Sequence, residues 1–224
     1  MAPEYTLHTY FRSSCSARVR IAAAYKGITL HYQYVNLLEN EQKAEGYKSV
    51  NTSETVPTLV VKDNTVTNII QQSIAILEYL EDSRPELPAL LPIDRIERAQ
   101  VRALVHIIAC DVQPVTNLKV LQRVRALGQD GASWQRDFMS AGLDAYEQLL
   151  VRQHQVSARY SMGDFVSMAD VVLAPAVDGA LRFGVEIDRF PRIKSIYAEL
   201  QRLEAFRAGS WRMQPDTPRE LREQ

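Results

Sequence analysis

Apolar and polar residues alternate over residues 5–11, with Tyr5, Leu7, Thr9 and Phe11 on one side, which is the period of a strand. The alternation stops at Ser13-Ser14-Cys15-Ser16, and an alanine-rich run over 18–26 follows and ends at Gly27. Small polar residues start helices and glycine stops them, so one helix is predicted there. A second strand is predicted over 31–35 and a polar, weakly helical crossover over 36–48. Residues 58–61 and 66–70 flank Lys62-Asp63-Asn64-Thr65 and predict a hairpin. Ile74, Leu77, Leu80 and Glu81 then recur at helical spacing behind Gln72-Ser73. The order β-α-β-α-β-β-α predicts an α/β unit on a mixed sheet over residues 1–84.

Pro85, Pro88 and Pro92 disfavour continued helix and mark a linker over 85–92. From 93 to 224 no strand pattern recurs, and an all-α unit is predicted. Ile96, Ala99, Ala103 and Ile107 line one face of a long helix, with a break expected near Pro114. Further helical runs cover 134–153 and 191–203. One helix start is sharply specified: Ser167 and Asp170 form a capping-box pair between the staple residues Val166 and Val171, worth about 1 kcal/mol. It is a folding signal without a chemical role.

A chain of 224 residues with 46% hydrophobic and 24% charged residues is ordinary for a globular protein and excludes a disordered one. A formal net charge of -1 gives no electrostatic reason for a nucleic-acid partner. The opening MAPEYTLHTYF lacks the basic-then-apolar order of a secretory signal, and the apolar stretch 103–110 is broken by His106 and too short for a bilayer. No membrane association is expected. Two cysteines, Cys15 and Cys110, exclude a disulfide framework and suit a reducing cytoplasmic setting. His8, His31, His106 and His154 are dispersed without ligand spacing, so no metal is expected.

The candidate chemistry sits between the first strand and the first helix. A helix N-terminus presents unpaired amides and the positive end of its dipole, and hydroxyls beside it could hold a thiolate. Ser13 and Ser14 fit that role, and a plain helix cap explains them equally. Cys15 is open to three readings: a redox nucleophile lacking a Cys-x-x-Cys partner, a small half-buried residue, or a support beside a bound thiol. Cys110 is expected as core packing. Val56-Pro57-Thr58 precedes a strand. Only about 5% of such bonds are cis, but a cis bond would turn the Val56 amide and carbonyl toward an extended ligand. Gln72 and Ser73 open the next helix, where amides and a hydroxyl meet a carboxylate or simply cap.

Taken in order, these segments carry a resemblance. SSCSARVRIA from Ser13 resembles the signature of the zeta-class glutathione transferases, followed by VPTL from Val56, QSIAILEYLE from Gln72 and DVQPVTNL from Asp111. SMAD from Ser167, RFGV from Arg182 and QPDTP from Gln214 also match, so the resemblance spans essentially the whole chain. It implies the glutathione transferase fold: an α/β thioredoxin-like N-terminal domain over 1–84, an all-α C-terminal domain over 93–224, and a homodimer. The implied activity is glutathione-dependent cis-trans isomerisation of maleylacetoacetate in phenylalanine and tyrosine catabolism.

The same resemblance assigns Ser13, Ser14 and Cys15 to the glutathione sulfur, Val56 and Pro57 to its cysteinyl backbone, and Gln72 and Ser73 to its γ-glutamyl end. Gln42 is a candidate for the glycyl end, and Gln113 and Asn117 line the site from the helical half. Arg12, Arg18 and Arg182 are candidates for substrate carboxylates, while Arg20 is a ligand, a solvated residue or a structural one. Ala17 stands where the family commonly has a bulky aromatic, and residues 46–54 depart from the family pattern. Maleylpyruvate isomerase, an α-halo-acid transferase and a non-catalytic interaction module remain alternatives.

Overall fold

The computed structural model describes residues 3–153 and 158–222, leaving His154 outside the described residues. In chain order the elements are β1 (Glu4–Thr9), α1 (Ser14–Lys26), β2 (His31–Tyr34), α2 (Glu45–Lys48), β3 (Thr58–Asp63), β4 (Val66–Gln71) and α3 (Ser73–Ser83). Then come α4 (Arg95–His106), a π-helical segment Ile107–Val112, α5 (Gln113–Thr116), α6 (Leu118–Ala126), α7 (Gly131–Arg152), α8 (Met168–Arg182), α9 (Pro191–Leu200), α10 (Glu204–Gly209) and α11 (Arg219–Arg222). They form two compact units, Met1–Ala89 with Glu204–Gln224, and Leu90–Leu203. Residues 204–224, expected in the helical half, therefore cluster with the sheet.

The sheet order is β2-β1-β3-β4, with β2 parallel to β1 and the other pairs antiparallel. Tyr5, Leu7, Leu59 and Val61 face α1 and α3, where Val19, Ala23, Ile76 and Leu80 complete the core. The hairpin turn is tighter than expected, because β3 runs on to Asp63, which pairs with Val66, and Asn64 takes φ 51. Helix α1 ends as predicted: Gly27 adopts φ 71, and its N–H reaches the carbonyls of Ala23 and Ala24. On its other side α1 meets α10 at Gly209, where a Cβ would lie 2.8 Å from the Ile21 nitrogen. Only glycine permits that approach.

In the second unit, α4 buries Val101, Leu104 and Val105, with Ile108 beyond it. The predicted face is the other one: Ile96, Ala99 and Ala103 are exposed. The break comes before Pro114, as the π segment adds a residue to the turn and re-aims α5. Val112 packs directly on Gly142 of α7, where a Cβ would sit 2.0 Å from Val112 Cγ2. From α7, Trp134 Nε1 donates to Val115 O at 2.9 Å and Gln135 Nε2 to Thr116 O at 3.0 Å, bracing α5. The capping pair at α8 forms as predicted: the Ser167 N–H and Oγ–H donate to Asp170 Oδ2, and the Ser161 N–H donates to Oδ1. Burial raises the Asp170 carboxyl above its usual range, and these donors oppose that shift.

Candidate functional site

Topology gathers the candidates of the first unit at one end of its sheet. Strand β1 ends at Thr9, β3 begins at Thr58 opposite His8, and β4 ends at Gln71 opposite Thr58. The segments 10–15, 56–57 and 72–73 therefore leave or enter the sheet side by side, and the crossover carrying Gln42 leaves the same end of β2.

Ser13 is the N-cap of α1, at φ -75 and ψ 113, and its Oγ accepts the Ser16 N–H at 3.1 Å. Capping uses a lone pair and leaves the hydroxyl proton free to donate outward. An oxygen that already accepts a hydrogen bond makes its own O–H a stronger donor. Ser14 and Cys15 form the first turn, both half-buried, and Cys15 is a free thiol. The head of α1 thus offers hydroxyls, amides and dipole to one anion.

Val56–Pro57 is a cis peptide, and both residues are buried. The sheet ladder starts at Thr58, so the Val56 amide and carbonyl lie just outside it. Gln72 precedes α3 at φ 71 and ψ 122, a left-handed conformation that favours glycine. No sequence signal announces that strain, since glutamine is not a residue of choice there. Ser73 is buried, and Arg18 Nη1 donates to its Oγ at 3.1 Å. Gln42 is 8% exposed, and its Oε1 is buried without a hydrogen-bond partner. A buried acceptor left open in this way fits a ligand N–H such as a peptide amide supplies.

Two arginines of α1 lie deeper than an expected substrate contact requires. Arg18, expected at a substrate carboxylate, is 1% exposed and orients Ser73 instead. Arg20 is equally buried and structural: it donates to Thr9 Oγ1 at 2.9 Å and to the carbonyls of Gly209, Phe11 and Tyr10 at 3.1, 3.2 and 3.4 Å. Burial lowers its pKa to about 10, so it remains charged at neutral pH. Arg12 is half-buried beside the Phe11 ring, in the turn that precedes Ser13. Cys110 is not core: it is exposed, with Sγ 3.4 Å from His106 Nδ1.

In the second unit Gln113 Nε2 donates to Asn117 Oδ1 at 2.9 Å, pairing two candidates on the braced segment after the π turn. Arg182 is exposed at the end of α8, over the Phe183 ring. Among the described residues no group of three or more His, Cys, Asp or Glu could hold a metal ion. A shallow cavity of about 220 Å³ beside α2, lined by His8, Tyr34, Glu41 and Tyr47 among others, contains none of the candidates.

The family profile described as Glutathione S-transferase, N-terminal domain, matches residues 12–83. The maleylacetoacetate isomerase of Emericella nidulans is 47% identical over 223 residues, covering 97% of this chain and 96% of that protein. The crystal structure of maleylacetoacetate isomerase from Anaeromyxobacter dehalogenans, with bound dicarboxyethyl glutathione and citrate in the active site, is 35% identical with a TM-score of 0.89. The match covers 99% of this chain and 97% of that one. A holo structure of maleyl pyruvate isomerase, a bacterial zeta-class glutathione transferase, is 37% identical with a TM-score of 0.87 and covers 95% and 100% of the two chains.

Proposed function

The chain belongs to the zeta class of the glutathione transferases, and from that premise we propose that it is a glutathione-dependent isomerase converting maleylacetoacetate to fumarylacetoacetate. The observation that carries the reading is Ser13 at the head of α1: a hydroxyl that accepts the Ser16 N–H and keeps its own proton to donate, at the positive end of the helix dipole. Bound there, glutathione supplies a thiolate that adds reversibly to the cis double bond, so that rotation and elimination return the trans isomer and the thiol.

The chain's own share is binding, orientation and charge. Ser13 donates to the sulfur, with Ser14 and Cys15 in support. The Val56 amide and carbonyl pair with the extended cysteinyl backbone. The head of α3, with Gln72 and Ser73, takes the γ-glutamyl end, and Gln42 Oε1 takes the amide N–H at the glycyl end. Gln113 and Asn117, and the cations Arg12 and Arg182, are the residues proposed for the substrate and its carboxylates. Holding these groups in place before reaction lowers the barrier by stabilising charge where it develops.

The chain acts as a homodimer in a reducing, cytoplasmic compartment. Support for the dimer is the apolar stripe left outward on α4, with Ile96 69% exposed, and Ile93, just before the helix, 98% exposed. By length and composition the run Arg95–Ala126 could also pass for a membrane span. A second copy covers that stripe more simply, because Arg95, Glu97 and Arg98 are interleaved with it. The two free thiols support the compartment.

The test is a parallel assay on maleylacetoacetate and maleylpyruvate. Turnover requires glutathione, saturates with it and consumes no free thiol over many cycles, with maleylacetoacetate the better substrate. Stoichiometric thiol loss with a stable conjugate would replace isomerase by transferase, and faster turnover of maleylpyruvate would reassign the substrate.

A further inference from the structure

The turn that delivers Ser13 is held from two sides, and one of the holders comes from the last residues of the chain. Tyr10 O accepts the Ser13 N–H at 3.0 Å, which places Phe11 and Arg12 at the corner of a β-turn. The N–H of the first corner residue finds no partner inside such a turn. Phe11 is 4% exposed, so that N–H needs an acceptor from elsewhere in the protein. Asp216 Oδ2 provides it at 2.8 Å. Arg20 grips the opposite side through the carbonyls of Tyr10 and Phe11 and ties the same guanidinium to Gly209 O of α10.

The segment carrying Asp216 is built to stay in place. Gln214 Nε2 donates to the carbonyls of Ala208 and Ser210 at 2.8 and 2.7 Å. Arg222 donates to the carbonyls of Thr217, Gln214 and Pro215 at 2.9, 3.0 and 2.7 Å. Trp211 and Leu221 pack against the cluster of Tyr10, Phe11 and Val56, so the tail also touches the Val56 side of the site. Asp216 is surrounded by groups that decide its charge. Burial raises its carboxyl above the usual range, whereas the Phe11 N–H, Arg20 and Arg222 favour the ionised form, and Tyr34 is also near.

We propose that Asp216 is a positioning residue for the thiolate site, fixing the Tyr10–Ser13 turn through the Phe11 N–H and so aiming the Ser13 hydroxyl. The inference rests on the reading of Ser13 as the sulfur's donor. A preorganised donor loses much of its effect when displaced by a fraction of an ångström, with about 10² in rate at stake for a full one.

Two conservative variants separate position from charge. Asp216→Asn keeps an acceptor in place and loses the charge, while Asp216→Glu keeps the charge and moves the acceptor by one methylene. Asp216→Glu should raise the pKa of the bound glutathione thiol, lower kcat/KM for glutathione about tenfold and speed hydrogen exchange at the Phe11 amide. Asp216→Asn should change each less than about twofold. The opposite ranking, or an unchanged thiol pKa and unchanged Phe11 exchange in Asp216→Glu, overturns the proposal even where thermal stability falls. If the wild-type protein binds no glutathione, the functional reading fails by itself. Phe11 exchange in the ligand-free variants then still decides whether Asp216 holds the turn.

Discussion

Arg18 of α1 donates Nη1–H to Ser73 Oγ across 3.1 Å, so the first residue of α3 is steered from the helix that Ser13 caps. Arg18→Lys keeps the charge and loses the fixed fork of donors. One hydrogen bond of about 1 kcal/mol corresponds to roughly a fivefold change in binding. The glutathione KM should rise by about that factor, and the KM for the dicarboxylate should stay within about twofold. A rise confined to the dicarboxylate KM would return Arg18 to the substrate.

Lys26 and Glu81 pair at 2.7 Å between α1 and α3 with side chains 1% and 7% exposed, and Lys26 Nζ also donates to Pro88 O. Removing one partner strands a buried charge, so Lys26→Met should cost about 3–5 kcal/mol in urea unfolding. The double variant Lys26→Met/Glu81→Leu should recover most of that loss, because well-packed apolar residues replace such pairs at little cost. A double variant no better than the single one would show that the pair is needed as an ion pair.

Residues 5–9 alternate because one face packs on α1 and α3, and that is why β1 could be read from sequence. Gly27 and Ser13 were legible because caps act locally. Periodicity fails where the partner is remote. Arg18 reads as a substrate ligand and Arg20 as a ligand, a solvated residue or a structural one, yet both are buried, with a hydroxyl in α3 and carbonyls at residues 10, 11 and 209 as acceptors. The stripe of Ile96, Ala99 and Ala103 is a genuine helical face, but spacing cannot say whether a face meets its own core or another surface. The π segment then shifts the phase, so a straight-helix reading misplaces Cys110. The tail's elements are short, and its place in the sheet unit depends on partners remote in sequence: α10 packs on α1 at Gly209, Trp211 and Leu221 pack on Tyr10 and Phe11, and Asp216 accepts from the Phe11 N–H.

His8 is partly buried beside Tyr47, and burial lowers its pKa below 6.5. The folded state therefore resists protonation more than the unfolded chain does. The stability contributed by neutral His8 is complete above the unfolded value and is lost as pH falls from about 6.5 toward the folded pKa. Compared with His8→Phe, which keeps a ring against Tyr47, the wild-type protein should lose more unfolding free energy between neutral and mildly acidic pH. Parallel curves for the two proteins would mean that His8 titrates alike in both states.

The proposed function gives Ser13 a second role beside its cap, and point mutations can separate the two. As the N-cap of α1 it accepts the Ser16 N–H, and Ser13→Ala should lower stability by about 1 kcal/mol. As the proposed donor to the glutathione sulfur it would stabilise an anion, and loss of one such donor costs on the order of 10²-fold in turnover. Ser13→Asp distinguishes the roles: aspartate caps as well as serine, so stability should return, but its charge beside the thiolate should raise the bound thiol's pKa and hold turnover at or below that of Ser13→Ala. Ser14→Ala should cost less, since Ser13 and not Ser14 holds the N-cap position of α1. Cys15→Ala should weaken glutathione binding and leave isomerisation measurable, because the attacking thiol belongs to glutathione. Activity that follows stability through the series, restored in Ser13→Asp, would reduce Ser13 to a helix cap and remove it from the chemistry.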